Sequence, residues 1–566
     1  MEYGEVLEWT IRLVLKTSKG HMLFVGSNPT LSAFVRQSFS DDDLRHRIIL
    51  MSKAGSILDG VKRLLNSKFF VHCIFLFLFG VFLFIGIHIF CDYGVGIDEY
   101  SQIALGKVNY ERVFEGRTGP LAASFDRYYG PAFETFLYEA SPLVRRVFGV
   151  GVIDSRHLLE FLFFAGSAFA FYVLLWQMTG SAWYGLLGSL LLVCSPRMFG
   201  QSFFNSKDMG FLSIGIYLLL SLWYFLDWSR LSLLIYGVLS GFALAIRPQA
   251  VMFIVGGLMA IFLLSKKTSA YRFRRALLYL GITGVAVLLF YPVFWTHPLS
   301  GFGGFIARMA EPIGVPTYFF GKFYISPEIP WYHLIVWVAL TSPISIVIAS
   351  VFGLILFLRG GEKNTKLRTM CAVMAWIVLG TFVLAVVLRA RTYDGWRHIY
   401  YVYPPLIGFS VYAVHRFFKN QKRLVAYFFI LLFLVDGVGT VRFMVQNHPN
   451  EYVYFNMLAG SYPSAKSNFD FDYWGVSLRQ DFSFLLSLPR ADRRVYVEEA
   501  SMFPYVQYDM APALFRHGFT MVSDVSKADI YVTVERDNKL LPPARFHKVY
   551  SVSVDSADLS AVYMLH

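Results

Sequence analysis

The stretch "FFVHCIFLFLFGVFLFIGIHIFCDYGVGIDEY" (Phe69–Tyr100) decides how this chain is read. Its first 22 residues carry no Asp, Glu, Lys or Arg. At 1.5 Å per residue such a run crosses the ~30 Å hydrocarbon layer of a bilayer as one helix. The acidic pair Asp98-Glu99 follows within a few residues. A second polar cluster, Asn205-Ser206-Lys207-Asp208 in "SPRMFGQSFFNSKDMGF", comes after the third apolar run. If the runs span a membrane, odd-numbered spans exit on the same side. Both clusters then meet at one membrane face, joined there by Arg247, His297 and the Arg397-His398 pair.

The whole chain agrees with a membrane reading. Of its 566 residues 56% are hydrophobic, 18% aromatic and only 16% charged, against roughly 25% charged in soluble domains. The net charge of +13 sits in short connections between apolar runs. It therefore reads as topology and not as the basic face of a nucleic-acid-binding domain. Cys73, Cys91, Cys194 and Cys371 lie in or beside apolar runs, a spacing that offers neither a disulfide framework nor a zinc site. The N-terminus is set apart. "GSNPTLSA" (Gly26–Ala33) is what translation of the T-arm and 3′ end of a bacterial tRNA gene yields, and residues 4–20 back-translate to the rest of a serine tRNA. Residues 1–50 are accordingly expected to be translated tRNA gene or a disordered segment, with a true start downstream at Met51, and without a cleavable signal peptide.

Apolar runs near 69–90, 157–177, 181–197, 209–227, 231–248, 249–265, 275–296, 331–358, 368–389, 399–417 and 423–443 predict eleven spans. The positive-inside rule orients them. The stretch ending at Lys68, "SKKTSAYRFRR" (265–275), "RGGEKNTKLR" (359–368) and "HRFFKNQKR" (415–423) fall on one side, which places the N-terminus inside and the C-terminus outside. The transmembrane domain is thus expected over 51–443. Its first external loop, 91–156, is too long for a simple connection. Within that loop Phe133, Phe136, Leu137, Leu143, Val144 and Val147 have the spacing of an amphipathic helix lying in the interface. A second long external loop covers 297–330, with Glu311 and Glu328. Over 444–566 the composition turns polar and mixed. "RRVYVEEA", "ADIYVTVER" and "HKVYSVSV" alternate as strands do, predicting a small external α/β domain. No Gly-rich nucleotide loop precedes a helix, so a nucleotide-sugar donor held by a Rossmann domain has no support.

Charges near a membrane are costly and tend to be kept for function. Asp98 and Glu99 are the candidate bases; the bland reading is a solvated interface pair. Neighbouring residues on a helix face different ways, so one of the two is expected to act. Asp208 with Lys207 is the second candidate, although an acid at a helix start is favoured by the helix dipole alone. Arg247, in "ALAIRPQAV", reads either as a snorkelling anchor or as a phosphate clamp, since guanidinium matches phosphate geometry. Arg397 and His398 open the tenth run among aromatics that an interface belt would explain by itself. His297 in "FWTHP" and Lys107 are weaker candidates, Lys107 for donor phosphate. Metal ligation by Asp98, Asp208 and a histidine stays open, because no spacing demonstrates it.

Taken together, the "DE" after the first span, "SPRMFGQSFFNSKD", "IRPQ", "DGWRHIYYVYPPL", "HPNEYVYFNMLAG" and "FDYWGVSLRQ" resemble bacterial membrane glycosyltransferases of the family 39 type. That GT-C group includes protein O-mannosyltransferases and the lipid A aminoarabinose transferase, and the resemblance runs from about Phe69 to Gly475. It implies an external active site, a polyprenyl-phosphate-linked sugar donor and inversion at the anomeric carbon. It matches the first-loop acid to Asp98 and the second-loop acid to Asp208. The histidines that bind zinc in the aminoarabinose enzyme have no clear counterparts here, so a divalent metal is open and no other cofactor is expected. The C-terminal part is unlike the sugar-binding repeat domain of eukaryotic protein mannosyltransferases, which leaves the acceptor open among glycolipid, polysaccharide and protein.

The expectation is therefore a polytopic α-helical enzyme of the bacterial inner membrane, with active site and C-terminus on the periplasmic side. Asp98, Glu99 and Asp208 are its candidate catalytic acids, and Arg247, Arg397, Lys107 and Lys207 its candidate phosphate ligands. His398 and His297 are further candidates. A polysaccharide polymerase or ligase, or a transporter of lipid-linked glycan, are the alternatives. A transporter is expected to show inverted repeats and midplane charges, and no repeat is evident.

Overall fold

In a computed structural model of the protein, the described residues are 68–566 apart from 125–126, 227–228, 265–267, 311–313, 326–327, 391, 499–510 and 536–541. The readings made on residues 1–50, on Met51 and on Glu311 lie outside them. The chain divides into two units, Met1–Val71 and His72–His566, and apart from the first residues of the helix Phe69–Ile89 everything below lies in the second.

Among the described residues six helices are long and apolar enough to cross a membrane: Phe69–Ile89, Val152–Thr179, Ser206–Phe225, Ser269–Phe290, Thr365–Val387 and Arg423–Asn447. The chain is a multi-pass membrane protein. The two helices Val152–Thr179 and Ser206–Phe225 are central, with 67% and 78% of their apolar windows buried, against 22% for Phe69–Ile89 and Arg423–Asn447. The peripheral helices turn Phe77, Phe84, Leu277, Leu289, Leu431 and Val438 outward. Exposed apolar surface on that scale needs lipid to cover it.

The other five predicted runs form shorter or broken helices. Ala182–Val193 has 12 residues, about 18 Å of helix. It ends before Pro196, which opens a separate helix, Pro196–Phe204, whose nine residues are all buried. The predicted span 331–358 divides into His333–Thr341 and Ile344–Leu358. Pro343 is the cause: it lacks an amide proton and forces the residue before it out of the helical region, and Ser342 is extended at φ −103°, ψ 152°. Asn456 repairs the break, its amide donating to the Ala339 and Ser342 carbonyls at 2.6 and 2.7 Å. The tenth run starts as a kinked 3-10 turn, Arg397–Val402, before Tyr403–Lys419.

The amphipathic segment of the first loop is the helix Ala132–Phe148. Phe133, Leu137 and Val144 face the protein, while Phe136, Leu143 and Val147 are exposed. The second loop holds a helix, Pro298–Ala310, and the hairpin Thr317–Phe319 with Lys322–Tyr324. The three stretches read as strands near the C-terminus become Arg493–Val497, Ile530–Val534 and Phe546–Val554. Two further strands, Phe519–Met521 and Ala557–Leu565, complete a five-stranded mixed sheet. Its Phe519–Met521, Arg493–Val497 and Ile530–Val534 strands are parallel, and the other two pair antiparallel.

Candidate active site

Asp98 stands where an N-cap residue stands, before the helix Glu99–Phe114, yet its side chain makes no capping hydrogen bond. Its carboxylate faces Arg397 instead, with Arg397 Nη1 2.8 Å from Asp98 Oδ2. The same Nη1 is 3.5 Å from Asp208 Oδ2, and Arg397 Nη2 donates to Asp394 Oδ2 at 2.9 Å. Arg247 pairs with the other oxygen of Asp208. One arginine thus gathers three acids, and a second arginine covers the far side of Asp208. Arg397, Asp208 and Asp394 are buried, Arg247 and Asp98 half-buried. The guanidinium of Arg397 also lies 4.8 Å over Trp474 and 5.1 Å over Tyr393, which supplies a further cation–π contact.

Local sequence explains each placement. Asn205 caps the helix Ser206–Phe225 by accepting from the Asp208 amide at 3.1 Å. Asp208 therefore has a first-turn position favoured by the dipole, and its carboxylate is spent on two arginines rather than on the cap. Arg247 follows the helix Arg230–Leu244 in extended conformation, φ −148°, ψ 140°, imposed by Pro248. The first loop packs directly on that bend. The Ala132 amide donates to the Ala245 carbonyl at 3.0 Å, and a Cβ at Gly130 would lie 1.9 Å from the Ile246 carbonyl oxygen. Asp394 occupies the left-handed region, φ 55°, where Asp is tolerated better than most residues. The Gly96–Ile97 turn leans on the "FDYWG" segment: the Ile97 amide donates to the Trp474 carbonyl at 3.1 Å.

Burial alone would raise the Asp98 carboxyl, but Arg397, with Lys207 and Arg247 beyond it, outweighs burial and holds it below the ordinary carboxylate value. His398 is pushed the other way: burial together with Arg397 and Arg247 keeps the imidazole well below its usual value, hence neutral. Its ring lies 4.6 Å from that of Tyr393.

The remaining candidates separate. Lys207 lies 4.6 Å over the Tyr129 ring, with Arg308 at 5.6 Å from the same ring. Glu99 turns away from Asp98 into the protein, where it is fully buried beside His157. Lys107 is exposed and pairs with Glu111 at 3.9 Å along its own helix. His297 is exposed at the start of the helix Pro298–Ala310. Neither Lys107 nor His297 joins the arginine–acid cluster.

Sequence reading passed over Asp394, although its place three residues before Arg397 was the available signal. It also passed over Arg308, which no motif marks, and over the buried pair Arg156-His157. Among the described residues no group of three or more His, Cys, Asp and Glu is set to hold a metal ion. The acids of the cluster have arginines as their counter-charges.

No protein-family model and no curated protein matches the chain. Solved structures similar to it include ArnT from Cupriavidus metallidurans in the apo state, at 13% identity, covering 87% of this chain and 97% of that one with a TM-score of 0.45. ArnT bound to undecaprenyl phosphate is similar at 14% identity over the same shares, with a TM-score of 0.41. An oligosaccharyltransferase of Archaeoglobus fulgidus, tethered to an acceptor peptide, is similar at 11% identity, covering 80% of this chain and 64% of that one with a TM-score of 0.41.

Proposed function

We propose that this protein transfers a sugar from a polyprenyl-phosphate donor to an acceptor hydroxyl at one face of the bacterial inner membrane, the periplasmic face by the charge pattern of its connections. The carrying observation is Arg397 shared among Asp98, Asp208 and Asp394, with Arg247 on Asp208, where four separate segments meet at the ends of membrane helices. Such a site couples a carboxylate able to take a proton with cations able to receive a phosphate, which is what glycosyl transfer from a lipid phosphate requires.

In this reading Asp98 removes the acceptor hydroxyl proton. The acceptor oxygen bonds to the anomeric carbon as the bond from that carbon to the phosphate oxygen breaks. The electron pair leaves with polyprenyl phosphate, and the anomeric centre inverts. Paired to Arg397, Asp98 is ionised but weakly basic. Donor phosphate drawing Arg397 toward itself would loosen that pair and raise the basicity of Asp98 when the substrate is in place. Arg247 and Lys207 stand beside Asp208 and Tyr129 as further phosphate ligands. The neutral His398 is a hydrogen-bonding group at the edge of the same cluster.

The test is purified full-length protein in nanodiscs with a panel of radiolabelled hexosyl and pentosyl polyprenyl phosphates and a membrane-lipid extract as acceptor. Release of polyprenyl phosphate with label appearing in the extract is the expected result. No turnover of any donor in nanodiscs, together with label equilibrating across the membrane when the same protein is reconstituted in sealed proteoliposomes, would favour transport.

A further inference from the structure

Asp98 and Asp208 share a feature beyond Arg397: each has a near neighbour rooted in one buried polar network. Beside Asp98, Glu99 is wholly buried, with His157 Nε2 3.1 and 3.2 Å from its two oxygens. The Gly96 amide donates to Glu99 Oε2 at 2.7 Å, and the Glu99 amide donates back to the Gly96 carbonyl at 3.0 Å. Asp98 lies inside this reciprocally bonded turn, so Glu99 helps to hold the backbone from which the Asp98 side chain projects.

Two residues before Asp208, the Ser206 hydroxyl lies 2.5 Å from Glu134 Oε1 and 2.8 Å from Gln102 Oε1. Glu134 in turn accepts from Arg156 Nη2 at 2.6 Å, and Glu160 stands 3.8 Å from the same nitrogen. Arg156 and His157 are consecutive on the helix Val152–Thr179, and both are buried. Three acidic side chains, Glu99, Glu134 and Glu160, thus converge on one arginine and one histidine. Breaking a buried pair strands a charge, so the network resists local movement far more than a surface turn would.

We infer that Arg156 and His157 are positioning residues: from one helix they hold, through Glu99 and through Glu134–Ser206, the two turns that carry Asp98 and Asp208 at the separation Arg397 bridges. In this reading they act through Glu99 and Glu134 and not on substrate. The inference rests on the reading of the arginine–acid cluster as the reacting centre. It recasts Glu99 as the support of Asp98 and not a second base.

The experiment compares His157→Phe, His157→Gln and Ser206→Ala in full-length protein in nanodiscs, by cryo-electron microscopy and by turnover of the donor that the panel selects. Gln keeps a donor to Glu99; Phe does not. His157→Phe is expected to open the Asp98–Arg397 contact and to lower kcat by about 10²-fold, the scale on which ~1 Å of misplacement acts. Its KM for donor should change by less than about 3-fold, since loss confined to the transition state appears in kcat. His157→Gln should restore kcat to within about 3-fold of wild type on the same reasoning. A wild-type kcat with the contact intact in His157→Phe would overturn the inference, as would equal losses in the Phe and Gln variants. If the Phe variant does not fold, Ser206→Ala decides: it should lower kcat without changing KM, and wild-type kcat there overturns the inference. If no donor turns over even in wild type, the functional reading fails separately, and the Asp98–Arg397 contact seen in the maps still decides the positioning role.

Discussion

Arg397 and Asp98 stand 299 positions apart in the chain and 2.8 Å apart in the fold. The contact ties the loop after the first membrane helix to the turn before Tyr403–Lys419. Because Arg397 also contacts Asp208 and Asp394, it is the common counter-charge of three carboxylates. The cluster forms only when all its segments are in place.

Arg397→Gln should be the most damaging single change in the cluster. It leaves three acids without their shared cation and should cost about 3–5 kcal/mol, as removal of one member of a buried ion pair does. Arg397→Lys keeps the charge but cannot place donors on both edges of a planar fork, so it should melt closer to wild type yet lose donor turnover. Thermal unfolding in detergent, read beside turnover, separates the two. Wild-type turnover in the Lys variant would show that charge alone suffices.

Gly130→Ala should act at a distance from the chemistry. The added Cβ would overlap the Ile246 carbonyl, a backbone group that cannot swing aside as a side chain would. Overpacking of this kind costs about 1–3 kcal/mol, and the displaced Ile246–Arg247 segment should lower turnover by at least about 10-fold. Gly119→Ala is the control, since nothing lies within 4 Å of its added Cβ, and it should be silent in both assays.

A pH dependence of stability should come from His448, which follows the helix Arg423–Asn447. Burial works against its charge, but hydrogen bonds to Glu451 at 2.7 Å and Asp92 at 2.9 Å win and hold the imidazole up to about 9. A histidine raised in the folded state contributes stability that is full below its unfolded value, ~6.5, and is lost as pH rises through the folded one. The melting temperature should therefore fall between about pH 6.5 and about 9. His448→Gln should flatten that part of the curve. A wild-type curve already flat there would remove His448 as the cause.

The membrane character of the chain was plain from its apolar runs because a bilayer imposes length and composition locally. Breaks were harder to see. The division at Pro343 falls in a short Thr341-Ser342-Pro343 stretch with apolar sequence on both sides, long enough together to read as one span, and it is tolerated because Asn456, more than a hundred residues on, supplies the missing donors. The same contrast holds for the site. Asp98, Asp208, Arg247 and Arg397 stood out as charges flanking apolar sequence, and all four meet. Lys107 stood out as well but is answered one turn along by Glu111, an i, i+4 pairing that the sequence already contained. Glu99 could not be separated from Asp98 by composition; only His157 across the fold gives it a different direction. Asp394 and the Arg156–Glu134 pair are partners chosen in space, which no local pattern announces.

Donor turnover by Asp98→Asn, measured against wild type in nanodiscs with the polyprenyl-phosphate sugar that wild type uses, tests the central assignment most directly. Asn keeps the shape and a hydrogen bond to Arg397 while removing the basic oxygen. The predicted result is normal expression and donor binding with kcat lowered by at least about 10²-fold, the contribution of a positioned base. Full retention of sugar transfer by the Asn variant would contradict it.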